Sequence, residues 1–242
     1  MHEFKKIVRK KSSLVEVIIL LVGIVFVLCG FKSSVLSGIG ASIIASAIVV
    51  FMTDVFIGGE ESDSARQWGL EAVYKTRGAM NGACDSYLEK AKNVSVIAFG
   101  LKSWRDSQQK QIERILDSGG IIRIITMEPG CANLMARETD EHSLENEISH
   151  SIEQLIEWGR KENAKGFRGR IEIKHHTHLP LDFMFLMDNR LFTGPYEYGK
   201  DSQQSLSFEY NTVGNAYEYY KNYFNELWGD NDFCKDALGQ DK

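Results

Sequence analysis

Two long apolar runs near the N-terminus constrain this chain more than any other feature. Residues 17–31 are apolar without a break, and residues 35–52 form a second run with no charge before Asp54. With Leu14 and Val15, the first run reaches the roughly 20 residues that a helix needs to cross a bilayer. Inside lipid, the backbone polar groups of each segment must be paired within that segment. We therefore predict a two-helix transmembrane hairpin over residues 14–56.

The distribution of basic residues predicts the orientation of this hairpin. Five lysine and arginine residues lie within residues 1–13, whereas the turn between the two runs carries only Lys32. Lysine and arginine are enriched on the cytoplasmic side of membranes. We expect a basic cytoplasmic N-terminus at 1–13, both termini in the cytoplasm, and an inner-membrane location with the lipid bilayer as a partner. A cleaved signal peptide is the alternative, but the first run is longer than its usual apolar core.

The remaining residues predict one α/β domain with a mixed sheet. The acidic segment 57–63 is the expected linker, and the domain is expected over 64–242. A helical pattern covers 64–92, and further helices are predicted at 103–118, 133–161 and 215–228. Apolar, β-branched runs predict strands at 94–99, 121–127, 170–176, 182–187, 190–193 and 204–210. Short links between strand, helix and strand indicate a parallel pair, and the turn at Asp188 and Asn189 indicates a β-hairpin.

Charge and cysteine usage exclude several classes of site. The chain has a net charge of -5: its first eleven residues are strongly basic, and the remainder is acidic. Because broad nucleic-acid binding requires a basic surface, we expect none here. The four cysteines share no C-x-x-C spacing, so we predict neither a disulfide framework nor a zinc site. No cofactor and no metal is expected.

The order of elements and four residues near the C-terminus resemble a known fold. One strand ends at Asp188, the next ends at Gly194, and Ser207 and Glu209 follow within Ser-Phe-Glu. This arrangement resembles the C-terminal half of a phospholipase D-like domain, and the segments NVSVIAFG and SGGIIRIITM resemble its N-terminal part. The resemblance covers about residues 70–228 as a single repeat. It implies pairing of two copies, so we expect a homodimer or a higher homo-oligomer.

The catalytic motif that this resemblance would require is missing. Active members of the superfamily carry His-x-Lys, followed four residues later by aspartate. If Asp188 is that aspartate, Leu181 and Phe183 occupy the histidine and lysine positions, and a shift by one residue places Pro180 and Asp182 there. Leucine and proline cannot form a phosphoenzyme. We expect a degenerate domain that is not an enzyme of this type.

Several polar and aromatic residues are candidates for a binding site. His176 and His178 share one face of the predicted strand, and with Glu209 they are the weak catalytic candidates. The segment 194–200 offers tyrosine rings for a base or an apolar group and a lysine for phosphate. The predicted ligand-binding residues are Lys102, Arg123, His178, Tyr196, Tyr198, Lys200, Ser207 and Glu209.

Three functions remain open at this point. The first is a membrane-anchored sensor or effector in which the degenerate domain binds a phosphorylated ligand, such as a nucleotide signal in antiviral defence, and couples oligomerisation to the membrane helices. The second is a phosphodiesterase or phospholipase acting at the membrane. The third is a membrane scaffold that is not an enzyme. The missing motif favours the first over the second.

Overall fold

The structure is a computed structural model that describes residues 19, 21–22, 24–27, 39–49, 64–140, 147–180, 182–197 and 199–239. The chain forms two compact units, Met1–Ala65 and Arg66–Lys242. In the first unit, the residues described between 19 and 49 are helical. The other residues of 14–56, together with 1–13 and the predicted linker 57–63, lie outside the described residues.

The predicted transmembrane hairpin over 14–56 is wrong. Across the described part of the chain, no helix combines the length and the apolar character that spanning a membrane requires. The predicted lipid-bilayer partner and the multi-pass inner-membrane location with cytoplasmic termini depended on that hairpin. Because the hairpin is wrong, these two predictions are wrong as well.

The second unit contains eight strands and five longer helices among its described residues. The strands are β1 (Leu70–Tyr74), β2 (Asn93–Ile97), β3 (Ile121–Met127), β4 (Arg170–His176), β5 (Asp182–Met187), β6 (Arg190–Pro195), β7 (Ser207–Asn211) and β8 (Lys235–Asp236). The helices are α1 (Arg77–Leu88), α2 (Lys102–Asp117), α3 (Ala132–Asp140), α4 (Glu147–Ala164) and α5 (Asn215–Gly229). The predicted α/β class is confirmed.

All eight strands join one mixed sheet in the order β1-β7-β6-β5-β2-β3-β4-β8. β2, β3 and β4 are mutually parallel, and the other neighbouring pairs are antiparallel. The predicted hairpin is present as β5 and β6, with Met187 opposite Arg190. The predicted helix over 64–92 is wrong in part, because β1 interrupts it and pairs with β7.

Helices cover both faces of the sheet. On one face, α1, α2 and α4 bury Met80, Ile112 and Leu155 against strand residues such as Val96 and Phe192. On the other face, α5 packs Tyr217 and Phe224 against the strands. The domain therefore has three layers, and its apolar core lies on both sides of the central strands.

The direction of three helices places their N-termini at one end of the sheet. The three helices are α1, which leads into β2, α2, which connects β2 to β3, and α4, which follows α3 and leads into β4. Helices that connect parallel strands run antiparallel to them, so their N-termini lie at the carboxyl ends of the strands. Gly100 allows the close approach of α4, because a Cβ atom there would lie 1.9 Å from Oγ of Ser151.

Candidate ligand-binding cleft

A cleft of about 640 Å³ opens at the carboxyl end of β2. Its walls are α1 from Arg77 to Asp85 and the N-terminal parts of α2 and α4, and Phe185 and Tyr196 contribute from β5 and the end of β6. The segment Asp201–Gln203 closes one side. The volume is within the range of about 300–1,000 Å³ that is typical of small-molecule sites.

Three helix N-termini converge on this cleft. Arg77 of α1, Lys102 and Ser103 of α2, and Glu147 and Ile148 of α4 all line it. Each helix N-terminus carries roughly half a positive elementary charge and unpaired N–H groups, so it attracts anions. Their combined field favours a negatively charged ligand.

The three N-termini differ in how their N–H groups are capped. The side chain of Thr76 accepts a bond of 3.2 Å from the backbone N–H of Ala79 at the start of α1. In α4, the backbone N–H of Ser149 donates to Glu138 at 2.8 Å. At α2, the preceding residue is Leu101, whose φ is +52° and whose side chain cannot cap the helix. The α2 N-terminus therefore has free donors for a ligand.

Arg77 is the cation buried in the cleft wall. Its side chain is only 7% exposed, and its guanidinium carbon lies 4.2 Å from the ring centroid of Phe183 and 5.5 Å from that of Phe185. No carboxylate among the described residues forms an ion pair with Arg77. A buried charge is costly unless it is compensated, and two ring faces compensate it only in part. An anion in the cleft would compensate the charge of Arg77.

Tyr196 lies beside this cation. Its ring centroid is 4.6 Å from that of Phe99, and the guanidinium of Arg137 lies 5.6 Å from its ring. Burial raises the pKa of the Tyr196 hydroxyl, and the positive charges of Arg77 and Arg137 oppose that rise. The buried hydroxyl lies against the side chain of Arg77 and the backbone of Phe99, which also oppose the rise of its pKa.

Cys84 does not provide a nucleophile in the cleft. Burial raises the pKa of its thiol to about 12, although Arg77 opposes the shift. A thiol with this pKa stays protonated at neutral pH, and the thiolate is the reactive form. Cys84 is therefore not a thiolate nucleophile at neutral pH.

Of the ligand-binding residues predicted from the sequence, Lys102 and Tyr196 line the cleft. Arg123 does not, because it forms an ion pair of 3.0 Å with Glu172 and lies 5.6 Å from the ring of Trp228, on the α5 side of the sheet. Lys200 is exposed and forms an ion pair with Glu197. Tyr198 lies outside the described residues. These assignments as ligand-binding residues stay predictions.

Ser207 and Glu209 are engaged within the sheet. Ser207 is fully buried and donates to the carbonyl of Ser205 at 3.3 Å. The carboxylate of Glu209 accepts a hydrogen bond of 2.5 Å from the hydroxyl of Tyr74 and lies 3.5 Å from Nε of Arg190. Neither residue lines the cleft. These contacts give both side chains a structural role within the sheet.

His176 and His178 stack on the same ring. Their imidazole centroids lie 4.9 and 5.2 Å from that of Phe233, and the backbone N–H of His178 donates to Nδ1 of His176 at 3.2 Å. Burial, with help from the neighbouring His178, lowers the pKa of His176 to about 4. A neutral imidazole of this kind is packed as an aromatic ring. The structure does not bring the pair into the cleft, and the described residues form no cluster of three metal-binding side chains.

Arg77 and Asp85 are two charged cleft residues that the sequence interpretation did not identify. Arg77 follows Thr76, which caps α1, so its position looked like an ordinary helix start. The available signal was an arginine at the first helical position, where acidic residues are favoured by the helix dipole. Its burial depends on Phe183 and Phe185, which follow about one hundred residues later.

Comparison with known proteins identifies no family. No protein-family model and no curated protein matches the chain. Among solved structures, TrmBL2, described as an archaeal chromatin protein with a novel mode of DNA binding, is 14% identical over 78% of this chain and 69% of its own, with a TM-score of 0.42. NucT from Helicobacter pylori is 9% identical over 67% of this chain and 96% of its own, also with a TM-score of 0.42.

Two further expectations are corrected. The expectation of no broad nucleic-acid binding is corrected: one of the similar structures is described as that of an archaeal chromatin protein with a novel mode of DNA binding. A match of this size does not assign a ligand to the present chain. The roles in signalling and antiviral defence depended on the membrane hairpin, and they are withdrawn with it.

Proposed function

We propose that the second unit is a degenerate phospholipase D-like domain that binds a phosphorylated small molecule in the cleft and does not hydrolyse it. The observation that carries this proposal is the buried guanidinium of Arg77, which has no carboxylate partner among the described residues. It lies in the cleft where three helix N-termini converge. Phosphate oxygens would accept bonds from the guanidinium and from the free N–H groups of α2.

The position of Arg77 relates directly to the degenerate motif. Phe183 occupies the position at which the resemblance would require lysine, and the guanidinium of Arg77 lies 4.2 Å from its ring. The guanidinium of Arg77, on α1, therefore lies against Phe183, which stands where the resemblance would require a lysine on β5. Arginine can form two parallel bonds with a phosphate group, which makes it suited to holding one. This supports retention of phosphate binding after loss of the lysine.

The absence of a competent nucleophile supports binding without turnover. Cys84 stays protonated. His150 is at the rim of the cleft, where it is exposed and interacts with Glu153 and Gln154. Phosphoenzyme formation needs a nucleophile that is held in place by a neighbouring base or orienting group. The cleft residues that we describe do not form such an arrangement.

Calorimetric titration of the full chain with ribose 5-phosphate tests this function, with ribose as the phosphate-free control. Arg77→Gln should weaken ribose 5-phosphate binding at least tenfold, because a hydrogen bond to a charged group contributes about 1.5–3 kcal/mol. The matched control is Arg168→Gln. Arg168 bonds the carbonyl of Asp117 at the far end of α2, about 24 Å along the helix axis, and its loss should leave affinity unchanged.

Two results would overturn the proposal. One is equal affinity for ribose and ribose 5-phosphate, or an Arg77→Gln variant that binds as the unmodified chain does. The other is release of nitrophenol from bis(4-nitrophenyl) phosphate that disappears in Arg77→Gln, which would indicate hydrolysis. A short oligonucleotide that competes with ribose 5-phosphate would move the assignment from a small molecule to a nucleic-acid chain.

A further inference from the structure

The cleft also contains a carboxylate without a cationic partner. Asp85 lies on α1 two turns after Arg77, about 12 Å along the helix axis. It is half-buried, and among the described residues no lysine, arginine or histidine forms an ion pair with it. Burial raises the pKa of Asp85, and a hydrogen bond with Gln108 opposes that rise. A partly buried carboxylate without a cationic partner favours a ligand group that donates hydrogen bonds.

The other carboxylates of the cleft are placed differently. Asp201 accepts a bond of 2.8 Å from the backbone N–H of Gln203 and thereby caps a short 3-10 helix. Glu147 is exposed at the first position of α4, where the helix dipole stabilises its charge. Asp85 has neither role. It is therefore the carboxylate that a ligand can use.

Neutral polar groups lie near Asp85 and extend the surface that a ligand meets. Asn81 is one turn before it on α1, and its amide nitrogen lies 3.4 Å from the amide oxygen of Gln203. Ser107 lines the same cleft from α2. The cleft thus has a cationic end at Arg77, a neutral middle and an anionic end at Asp85. A ligand that fits all three has an anion at one end and N–H donors at the other.

Accepting the phosphate site proposed above, we propose that the ligand is a nucleotide whose base presents paired N–H donors to Asp85, as guanine does. A carboxylate accepts two parallel N–H bonds, whereas the corresponding edge of adenine offers one donor and one acceptor. The phosphate lies at Arg77 and the α2 N-terminus, and the base lies toward Asp85. A cavity of about 640 Å³ accommodates a ligand of this class.

Calorimetric titration of the full chain with guanosine, adenosine and ribose 5-phosphates tests this assignment. Guanosine monophosphate should bind at least five times more tightly than adenosine monophosphate. Asp85→Asn should remove this preference and leave the affinity for ribose 5-phosphate unchanged. The control is Asp117→Asn, at the C-terminal end of α2, where the carboxylate is exposed and remote from the cleft. Thermal unfolding of each variant establishes that it is folded.

The outcomes separate this inference from the proposed function. If the three phosphates bind equally and Arg77→Gln weakens all of them, the guanine assignment is overturned while the phosphate site stands. If no phosphate binds, both are overturned. A guanine preference that survives in Asp85→Asn would also overturn the role of this carboxylate. Loss of the preference in Asp85→Asn alone is the expected result.

Discussion

The guanidinium carbon of Arg77 lies 4.2 Å from the ring centroid of Phe183. Both side chains are buried, the arginine to 7% exposure and the phenylalanine completely. The ring lies directly beside the charge and excludes water from that side, which strengthens the pull of Arg77 on an anion in the cleft. The stability of the domain and its affinity for phosphate should therefore depend on this pair together.

A double-mutant cycle measures the coupling free energy between Arg77 and Phe183. Phe183→Leu and Arg77→Met each keep an apolar chain in place, and we expect a coupling free energy of unfolding of about 1–2 kcal/mol between them. The matched control is Phe192→Leu, which lies on the same face and is equally buried, and over whose ring no guanidinium of the described residues lies. Urea unfolding of the single and double variants gives the values. A coupling to Phe192 as large as that to Phe183 would contradict the interpretation.

The strands that formed where the sequence predicted them share a local signal. β3 consists of isoleucine, threonine and methionine around one arginine, and β5 and β6 flank the tight turn at Asp188 and Asn189. These patterns are complete within a short segment, so no distant information is needed to recognise them. β1 is the opposite case. Its stability as a strand comes from pairing with β7, more than 130 residues later, so its own residues suggested a helix.

The sequence interpretation named cleft-lining residues only where they follow a strand. Tyr196 follows β6 directly and Lys102 begins the helix after β2, and both line the cleft. Arg123 and Glu209 also lie on strands, but their charges are satisfied by Glu172 and by Tyr74. Sequence spacing does not reveal which charges find a partner across the sheet. Which charges meet across the sheet depends on the order of the strands. No short segment of the sequence specifies that order.

Gly100 should be required for the wall of the cleft. In Gly100→Ala, the new Cβ would lie 1.9 Å from Oγ and 2.4 Å from Cβ of Ser151, so α4 must move away. We expect a loss of about 2–3 kcal/mol in the free energy of unfolding and weaker ribose 5-phosphate binding. Ser151→Gly should restore part of both. These quantities are measured by urea unfolding and calorimetry.

Gly82 provides the control for that substitution. It lies within α1, and a Cβ atom there would meet nothing within 4 Å. Gly82→Ala should raise the stability by about 0.5–1 kcal/mol, because alanine reduces the entropy that the chain loses on forming a helix. If Gly100→Ala were as stabilising as Gly82→Ala, the close approach of α4 to β2 would be refuted.

His176 should make stability depend on pH in the acid range. Its folded pKa is about 4, below the ordinary value of 6.5 for histidine, because burial disfavours the imidazolium ion. The unfolded chain therefore binds the proton more readily between these values, and stability should fall as the pH decreases from about 6.5 to 4. The size is on the order of 2 kcal/mol. His176→Phe keeps a ring against Phe233 and should flatten this part of a stability-versus-pH curve. An unchanged slope in the variant would assign the effect to other groups.

The contact between Tyr74 and Glu209 should stabilise the sheet without serving the ligand. The hydroxyl donates to the carboxylate at 2.5 Å, and burial together with this hydrogen bond raises the pKa of Tyr74 well above its ordinary value. Tyr74→Phe leaves the buried Glu209 with Arg190 at 3.5 Å as its remaining charged partner. Because the lost bond involves a charged group, we expect a cost of about 1.5–3 kcal/mol in the free energy of unfolding.

Ligand affinity separates this structural role from a catalytic or binding role for Glu209. Since Glu209 and Tyr74 lie outside the cleft lining, Tyr74→Phe should bind ribose 5-phosphate as tightly as the unmodified chain at a temperature where both are folded. Arg77→Gln should show the reverse pattern, with a large loss of affinity and a smaller loss of stability, because removing its charge also removes a desolvation cost. A tenfold loss of affinity in folded Tyr74→Phe would place Glu209 in the ligand site. Equal affinity together with reduced stability assigns the carboxylate to the packing of β1 against β7.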